Sequence, residues 1–223
     1  MTDKQTFNKE KDLFSWKDFL KMPVIGIVRH ISAETIAQIL PLYQAAGLTT
    51  IEITMNSEGA VDIIRHASSE YGNQLNIGAG TVCSLRELDT AIQAGAQFIV
   101  TPVTDEEIIS RCVEIGIPVF PGAFTPTEIF KAWKTGADMV KIFPATALHP
   151  RYIKDLKGPM EQIKLMPTGG IDTGKAVAWL DAGATAVGMG SELFNKGFIK
   201  NKDWQSLQAH FESVVKAVKL RTG

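Results

Sequence analysis

The most restrictive feature of this 223-residue sequence is an alternation of short β-branched runs with longer helical runs, repeated eight times. Successive strand starts are 20–26 residues apart, and the segments between them carry apolar residues at helical spacing. The predicted strands are residues 24–28, 50–54, 76–79, 98–101, 118–120, 139–143, 164–166 and 185–188. Each connection is long enough to hold a helix, which favours parallel pairing. The sequence therefore predicts an α/β fold, a compact (β/α)8 TIM barrel.

Residues 1–223 are interpreted as a single barrel domain, with residues 8–21 predicted to form an extra helix before the first strand. Several helical runs end in alanine or threonine followed by glycine, at Gly47, Gly95, Gly136 and Gly183, which is typical of a left-handed C-cap. The alternative fold is an open doubly wound sheet. A glycine-rich G-x-G-x-x-G turn would then be expected after the first strand, but residues 27–30 read Ile-Val-Arg-His.

Composition narrows the functional classes. The chain has 23 lysine and arginine residues and 24 acidic residues, so its formal charge is −1. It lacks the excess of basic residues that would indicate a nucleic-acid partner. Hydrophobic residues make up 45 %, which argues against intrinsic disorder. No apolar stretch approaches the ~18–20 residues of a membrane span, and the polar N-terminus lacks the apolar core of a secretory signal. We expect a soluble cytoplasmic protein that binds neither nucleic acid nor membrane.

The two cysteines, Cys83 and Cys112, are predicted to lie in helical segments far apart in the sequence. They fit no zinc spacing and are interpreted as reduced thiols of a cytosolic protein. No cluster of histidine and acidic residues has the spacing of metal ligands either. The sequence therefore predicts neither a metal nor a cofactor.

Three charged residues interrupt apolar strands near their carboxyl ends, where a barrel forms its site: Arg29, Glu52 and Lys141. The alternation of side chains along a strand directs Glu52 and Lys141 into the barrel, because their isoleucine and valine neighbours can face the helices. Burial lowers the pKa of a lysine, and a partly neutral lysine can attack a carbonyl to form a Schiff base. The alternative interpretation is a structural Lys–Glu ion pair that fills the barrel.

Glycine-rich segments follow the last two predicted strands, at residues 167–171 (Pro-Thr-Gly-Gly-Ile) and 187–191 (Val-Gly-Met-Gly-Ser). Barrels commonly bind phosphate with these two loops, whose glycines allow backbone N–H groups to approach the phosphate oxygens. Ser191 would add a hydroxyl donor. A third such segment, residues 78–81, would bring Thr81 beside a substrate carboxylate. The alternative is that these glycines only turn the chain.

Together these motifs give the chain a specific resemblance. From about residue 24 to residue 193 it resembles the class I 2-keto-3-deoxy-6-phosphogluconate (KDPG) and 4-hydroxy-2-oxoglutarate (KHG) aldolases and the related phosphogalactonate aldolases. The matching elements occur in the family's order: Ile-Val-Arg at 27–29, Ile-Glu-Ile-Thr at 51–54, Gly-Ala-Gly-Thr-Val at 78–82, Val-Thr-Pro at 100–102, Pro-Gly at 121–122, Lys-Ile-Phe-Pro at 141–144, Pro-Thr-Gly-Gly-Ile at 167–171 and Gly-Met-Gly-Ser at 188–191.

The resemblance implies a cytoplasmic, metal-independent homotrimer of the Entner–Doudoroff pathway. Its substrate would be a phosphorylated keto acid, cleaved with Lys141 as the Schiff-base nucleophile and Glu52 as the general acid/base. Arg29 and Thr81 would bind the pyruvate carboxylate, and Pro102 and Phe143 would line that pocket. The remaining substrate-binding residues would be Thr168 and the phosphate-binding Gly169, Gly170, Gly190 and Ser191.

One position departs from many family members. They carry an arginine four residues after the catalytic glutamate, where this chain has Asn56. Other members use an arginine at the end of strand 1, which corresponds to Arg29. Residues 55–57 resemble the galactonate branch, whereas Thr168 and its neighbours resemble the gluconate branch, and these branches differ in the C4 configuration that they accept. Three alternatives to a KDPG aldolase stay open: a phosphogalactonate aldolase, a non-covalent phosphate-binding isomerase or synthase, and a non-catalytic sugar-phosphate-binding protein.

Overall fold

The computed structural model describes residues 14–221, which form alternating strands and helices. The strands are β1 (Val24–Val28), β2 (Thr50–Thr54), β3 (Asn76–Gly80), β4 (Phe98–Val100), β5 (Val119–Phe120), β6 (Gly122–Ala123), β7 (Val140–Ile142), β8 (Leu165–Pro167) and β9 (Val187–Met189). The α-helices are α1 (Trp16–Lys21), α2 (Ala33–Ala45), α3 (Ala60–Tyr71), α4 (Leu85–Gln93), α5 (Glu106–Ile115), α6 (Pro126–Thr135), α7 (Arg151–Lys157), α8 (Thr173–Asp181), α9 (Lys196–Lys200) and α10 (Trp204–Leu220). A 3-10 helix spans Ala145–Ala147.

All strand pairs are parallel, and together they close a barrel. Six strands pair in the order β5-β4-β3-β2-β1-β9, and three more pair in the order β6-β7-β8. The segments β5 and β6 are two halves of one barrel strand, separated by Pro121, and a single parallel bridge between Thr168 and Gly188 joins β8 to β9. Counting β5 and β6 together gives eight barrel strands. The predicted (β/α)8 fold is confirmed.

The alternation along the strands separates an outer core from a barrel interior. Ile51, Ile53 and Val140 belong to the large apolar cluster shared with the surrounding helices. Met139 and Met166 belong to a second cluster inside the barrel. Met139 points into the barrel, so Lys141, two residues further along the chain, points inward as well. Ile51 faces the helices, so its neighbour Glu52 points inward too.

The helix α1 covers the amino-terminal end of the barrel. Its buried Phe19 and the preceding Phe14 pack against Phe120 and Phe98, with ring centroids 6.3 Å and 5.3 Å apart respectively. The side chain of Asn76, at the start of β3, accepts a hydrogen bond from the Ser15 N–H and donates one to the Ser15 carbonyl. We call this aromatic layer the floor of the barrel. It leaves the carboxyl end of the strands as the open end.

The expected helix ends are confirmed, whereas most of the predicted strand boundaries shift by one or two residues. Gly47, Gly95, Gly136 and Gly183 all have positive φ beyond the helix ends, as their sequence context predicts. The predicted N-terminal helix begins only at Trp16, and its residues 8–13 lie outside the described part of the chain.

The strand half β6 was not predicted, because two small residues, glycine and alanine, give no β signal. Cys83 is not helical as expected: it lies exposed in the turn before α4, whereas Cys112 is buried in α5. No helix within residues 14–221 is long and apolar enough to cross a membrane.

Candidate active site

Two oppositely charged side chains point into the barrel above its apolar interior. Glu52 lies at the centre of β2 and is 1 % exposed, and Lys141 lies at the centre of β7 and is 5 % exposed. Each is flanked in sequence by residues of the outer core, so the pleat of the strand leaves it no other direction. The inward orientation predicted from the sequence is confirmed.

Burial dominates the electrostatics of this pair. It lowers the pKa of Lys141, and the nearby positive charge of Arg29 lowers it further, while Glu52 and Cys83 act in the opposite direction. Burial raises the pKa of Glu52, and the positive charge of Lys141 partly offsets that increase. Both shifts favour the neutral forms. An amine with a lowered pKa beside a carboxyl with a raised one is suited to nucleophilic attack and proton transfer on one bound molecule.

The carboxyl group of Glu52 has no hydrogen-bond partner among the described residues, although both of its oxygens are buried. Native proteins rarely leave a buried polar group unpaired, and such groups concentrate at functional sites. Gly80, at the end of β3, gives this carboxyl its space: a Cβ there would collide with Oε1 of Glu52. The arrangement presents an unsatisfied acid to whatever enters the barrel.

Phe143 forms one wall beside the lysine. The Nζ of Lys141 lies 5.0 Å from the centre of the Phe143 ring, within the range of a cation–π contact. Phe143 is 38 % exposed, and its ring also borders Gly169. Phe143 therefore connects the lysine to the first glycine-rich loop.

Three further predicted residues follow the strands β1, β3 and β4 at the open end. Arg29 is exposed directly after β1, and no ion pair or hydrogen bond of its side chain occurs within residues 14–221. Thr81 follows β3 with a left-handed φ of 56°, an unusual conformation for a threonine. Pro102 is half-buried after β4, and its carbonyl lies so close to Gly122 that no Cβ would fit there.

The glycine-rich loops after β8 and β9 lie side by side. Thr168 is buried and forms the bridge to Gly188, and its carbonyl accepts a hydrogen bond from the Ala145 N–H. Gly169 and Gly170 have positive φ values of 111° and 62°. Gly190 is half-buried and Ser191 exposed after β9. These loops offer backbone N–H groups and one hydroxyl at the same edge of the barrel as Lys141.

Several residues at this end contact or influence the predicted site residues, and sequence reasoning did not single them out. Gly80 accommodates the Glu52 carboxyl, and Ser57 bonds to the backbone of His30, as described below. Cys83 lies close enough to Lys141 to affect its pKa. The sequence offered only one signal for Cys83, which is its position two residues after Thr81. Within the described residues, no group of three or more histidine, cysteine or acidic side chains could hold a metal ion.

The fold and these side chains together define a class: a (β/α)8-barrel protein with a buried lysine of lowered pKa and a buried, unpartnered carboxyl inside the barrel. Comparison with known protein families identifies the family to which the chain belongs. The model of the "KDPG and KHG aldolase" family matches residues 17–210, so this chain belongs to the KDPG and KHG aldolase family.

Two curated relatives and one solved structure show the extent of the similarity. The chain is 35 % identical to the 2-dehydro-3-deoxy-6-phosphogalactonate aldolase of Escherichia coli, over 89 % of this chain and 97 % of that protein. It is 33 % identical to the 2-dehydro-3-deoxy-phosphogluconate aldolase of Haemophilus influenzae, over 89 % and 95 %. The KDPG aldolase of Legionella pneumophila, solved with pyruvate captured as a covalent carbinolamine, matches with a TM-score of 0.82 and 26 % identity, over 88 % of this chain and 96 % of that one.

Proposed function

We propose that this chain is a class I aldolase that cleaves KDPG to pyruvate and glyceraldehyde 3-phosphate, and also 4-hydroxy-2-oxoglutarate to pyruvate and glyoxylate. The observation that carries the proposal is the buried Lys141, with its lowered pKa, in the same enclosed space as the unpartnered Glu52 carboxyl. The carbinolamine formed by pyruvate in the Legionella relative supports the same chemistry.

The neutral amine of Lys141 attacks the C2 ketone of the substrate to give a carbinolamine. The protonated carboxyl of Glu52 gives its proton to the departing hydroxyl, so that water leaves, a protonated imine remains and Glu52 becomes a carboxylate. Glu52, directly or through one water, takes the C4 hydroxyl proton as the C3–C4 bond breaks. The electron pair of that bond passes into the imine, which becomes an enamine, and the aldehyde leaves. Protonation of C3 and hydrolysis of the imine then release pyruvate and return the amine. Positioned proton transfer of this kind contributes roughly 10²–10⁴-fold to the rate.

The remaining residues would bind the two ends of the substrate. We assign the carboxylate to Arg29 and Thr81, the pocket around it to Pro102 and Phe143, and the region between the two ends to Thr168. The distal phosphate is assigned to the glycine-rich loops, with contacts from Gly169, Gly170, Gly190 and Ser191. The support is their shared position at the carboxyl ends of the strands, around Lys141.

Reductive trapping tests the covalent step. Wild-type protein incubated with pyruvate and borohydride is expected to gain the mass of one pyruvate-derived adduct, located on Lys141 by peptide mass spectrometry. Lys141→Ala should abolish the adduct, whereas the control variant Lys164→Ala removes a lysine that stacks on Trp16 at the floor and should leave it intact. Glu52→Gln should form the adduct but turn over slowly.

Absence of the adduct in the wild-type protein would contradict the proposal. Turnover without trapping would favour a non-covalent isomerase or synthase. Pyruvate release is measured by a coupled lactate dehydrogenase assay. Binding of substrate without such release would favour a non-catalytic sugar-phosphate-binding protein.

A phosphogalactonate aldolase is the second candidate. It is favoured by the name of the Escherichia coli relative and by residues 55–57, which resemble the galactonate branch. Thr168 and its neighbours favour the gluconate substrate instead. Comparing kcat/KM for the two C4 epimers and for unphosphorylated 4-hydroxy-2-oxoglutarate decides between them: a preference for the galactonate epimer would replace the first assignment.

We further propose that the active form is a cytoplasmic homotrimer. The support is the family resemblance and three exposed apolar side chains, Val103, Phe124 and Phe130, on the loop after β4, the loop after β6 and α6. The loop after β4 is joined to β6 by a hydrogen bond from the Thr104 hydroxyl to the Gly122 carbonyl. Light scattering of the purified protein in solution is expected to give a molar mass three times the chain mass of 24.3 kDa. A monomer at micromolar concentration would contradict the assembly.

A further inference from the structure

The backbone beside Arg29 has an unusual conformation that a neighbouring loop holds in place. His30, the next residue, has a φ of 54°, a left-handed conformation that costs free energy for a residue other than glycine. Such a conformation persists only where its surroundings fix it. Here the His30 N–H donates a hydrogen bond of 2.9 Å to Oγ of Ser57, in the loop after β2.

Ser57 is itself held from the end of β2. Its hydroxyl lies 2.8 Å from the hydroxyl of Thr54, and its N–H donates a hydrogen bond of 2.9 Å to the Thr54 carbonyl. Both side chains are buried, so the contacts are shielded from competing water. The result is a short chain of hydrogen bonds from Thr54 through Ser57 to the backbone of His30.

The orientation of Arg29 depends on this backbone. Its guanidinium has no ion pair or hydrogen bond within residues 14–221, so no side-chain contact fixes its direction. Its charge nevertheless lies close enough to Lys141 to lower the pKa of that amine. The direction in which Arg29 leaves the strand is therefore set by the turn at Arg29 and His30.

We propose that Ser57, supported by Thr54, is a positioning residue for the carboxylate of the 2-oxo acid. Its hydrogen bond to His30 holds the strand end from which Arg29 reaches that carboxylate, beside the Lys141 amine. Ser57 does not touch the substrate in this arrangement. The inference rests on the proposed function, because it presumes that a 2-oxo acid condenses with Lys141.

The test compares two ketones in the borohydride trapping reaction. Pyruvate presents the carboxylate, and acetone presents the ketone without it. In Ser57→Ala we expect the half-saturating pyruvate concentration to rise about tenfold, since a misplaced binding group loses this much or more, and acetone trapping to stay unchanged. Ser57→Thr keeps the hydroxyl and should restore the wild-type pyruvate dependence.

Two further variants separate positioning from a general loss of structure. Ser68→Ala is the matched control, because it removes a serine hydroxyl that bonds a backbone group, the Gly95 carbonyl, near the amino-terminal ends of the strands. It should leave both ketones unaffected. In the Arg29→Ala background, Ser57→Ala should add no further loss, because the group that it positions is already gone.

The outcomes distinguish failure of the positioning role of Ser57 from failure of the proposed function. An equal loss for acetone and pyruvate, or a loss that adds to that of Arg29→Ala, would overturn the positioning role. If the wild type traps pyruvate and Ser57→Ala has the same half-saturating pyruvate concentration, only the positioning role is overturned. If the wild-type protein traps no pyruvate, the proposed function is overturned as well. If Ser57→Ala does not fold, as judged by circular dichroism, the isosteric Thr54→Val carries the same comparison with the same expected direction.

Discussion

Lys141 lies between electrostatic influences of opposite sign, and their balance decides whether its amine can react. Desolvation is the largest influence and lowers its pKa, with help from Arg29. Glu52 opposes this effect because a negative charge stabilises the ammonium form. If the carboxylate dominated, Lys141 would be a structural ion pair. Because burial dominates, the interior of the barrel favours the nucleophilic form.

The first prediction concerns the pH dependence of this amine. Glu52→Gln removes the negative charge that raises the pKa of Lys141, so the pKa should fall and the reactivity of the amine should increase at lower pH than in the wild type. Arg29→Gln removes a positive charge that lowers the pKa, so the same profile should move to higher pH. Below the pKa the reaction rate should increase about tenfold per pH unit.

Reductive methylation with formaldehyde and cyanoborohydride measures these profiles directly, with the Lys141 peptide quantified by mass spectrometry. Exposed lysines of the same sample serve as internal references, because neither substitution affects their surroundings. Shifts of the same sign in both variants, or no shift in either, would show that the two charges do not act on Lys141 as inferred.

A second prediction concerns the space beside the carboxyl. In Gly80→Ala the new Cβ would collide with the end of the Glu52 side chain, which can move, rather than with backbone. We therefore expect a folded protein whose turnover falls at least tenfold, since the proposed acid/base group is displaced. Gly174→Ala, where a Cβ meets nothing closer than 3.6 Å, is the control. Equal activity of the two variants would show that Glu52 does not need this position.

The sequence predicted single residues well wherever a local pattern determined them. The alternation on β2 and β7 directed Glu52 and Lys141 inward, and the structure confirms this orientation. The bond between Ser57 and His30 joins residues 27 positions apart, and no local pattern specifies such a pair. The unpartnered state of the Glu52 carboxyl was equally inaccessible, because it depends on every strand around the barrel.

At the scale of secondary structure, the least regular element is the fifth barrel strand. Its first half, β5, pairs with β4, and its second half, β6, pairs with β7, so Pro121 lies where the strand changes partners. Proline lacks the N–H needed for regular pairing, which accounts for the interruption. The sequence predicted only the first half. The regular strands β1 and β2 were predicted with the bounds observed, because β-branched residues fill them.

The third prediction tests this junction. A Cβ at Gly122 would collide with the backbone of Pro102, which cannot move as a side-chain end can. Gly122→Ala should therefore lower the free energy of unfolding by about 1–3 kcal/mol, the usual cost of overpacking. It should also impair pyruvate trapping, because the displaced strand end carries Pro102. Urea denaturation with Gly174→Ala as control measures the first effect, and unchanged stability would contradict the close packing of these strands.

At the scale of the whole molecule, the barrel divides its two ends between stability and chemistry. The floor buries the rings of Phe14 and Phe19 against Phe98 and Phe120. The open end carries Arg29, the glycine-rich loops and the unpaired Glu52 carboxyl. This division is general for such barrels, whose loops after the strands carry the site. Substitutions at the two ends should therefore affect different measurements.

The last prediction tests that division and the expectation of a single domain together. Phe19 is completely buried against Phe14 and Phe120, so Phe19→Ala should lower the free energy of unfolding by about 3–5 kcal/mol, the typical cost of deleting a core phenylalanine. The turnover of the folded protein should stay unchanged, since the floor lies at the opposite end from Lys141. In urea, the loss of far-ultraviolet circular dichroism and the loss of pyruvate trapping should coincide at one midpoint, because one cooperative unit unfolds as a whole. Separate midpoints would divide the chain into units that unfold independently, and a loss of turnover in the folded Phe19→Ala protein would show that the floor and the site are coupled through the interior of the barrel.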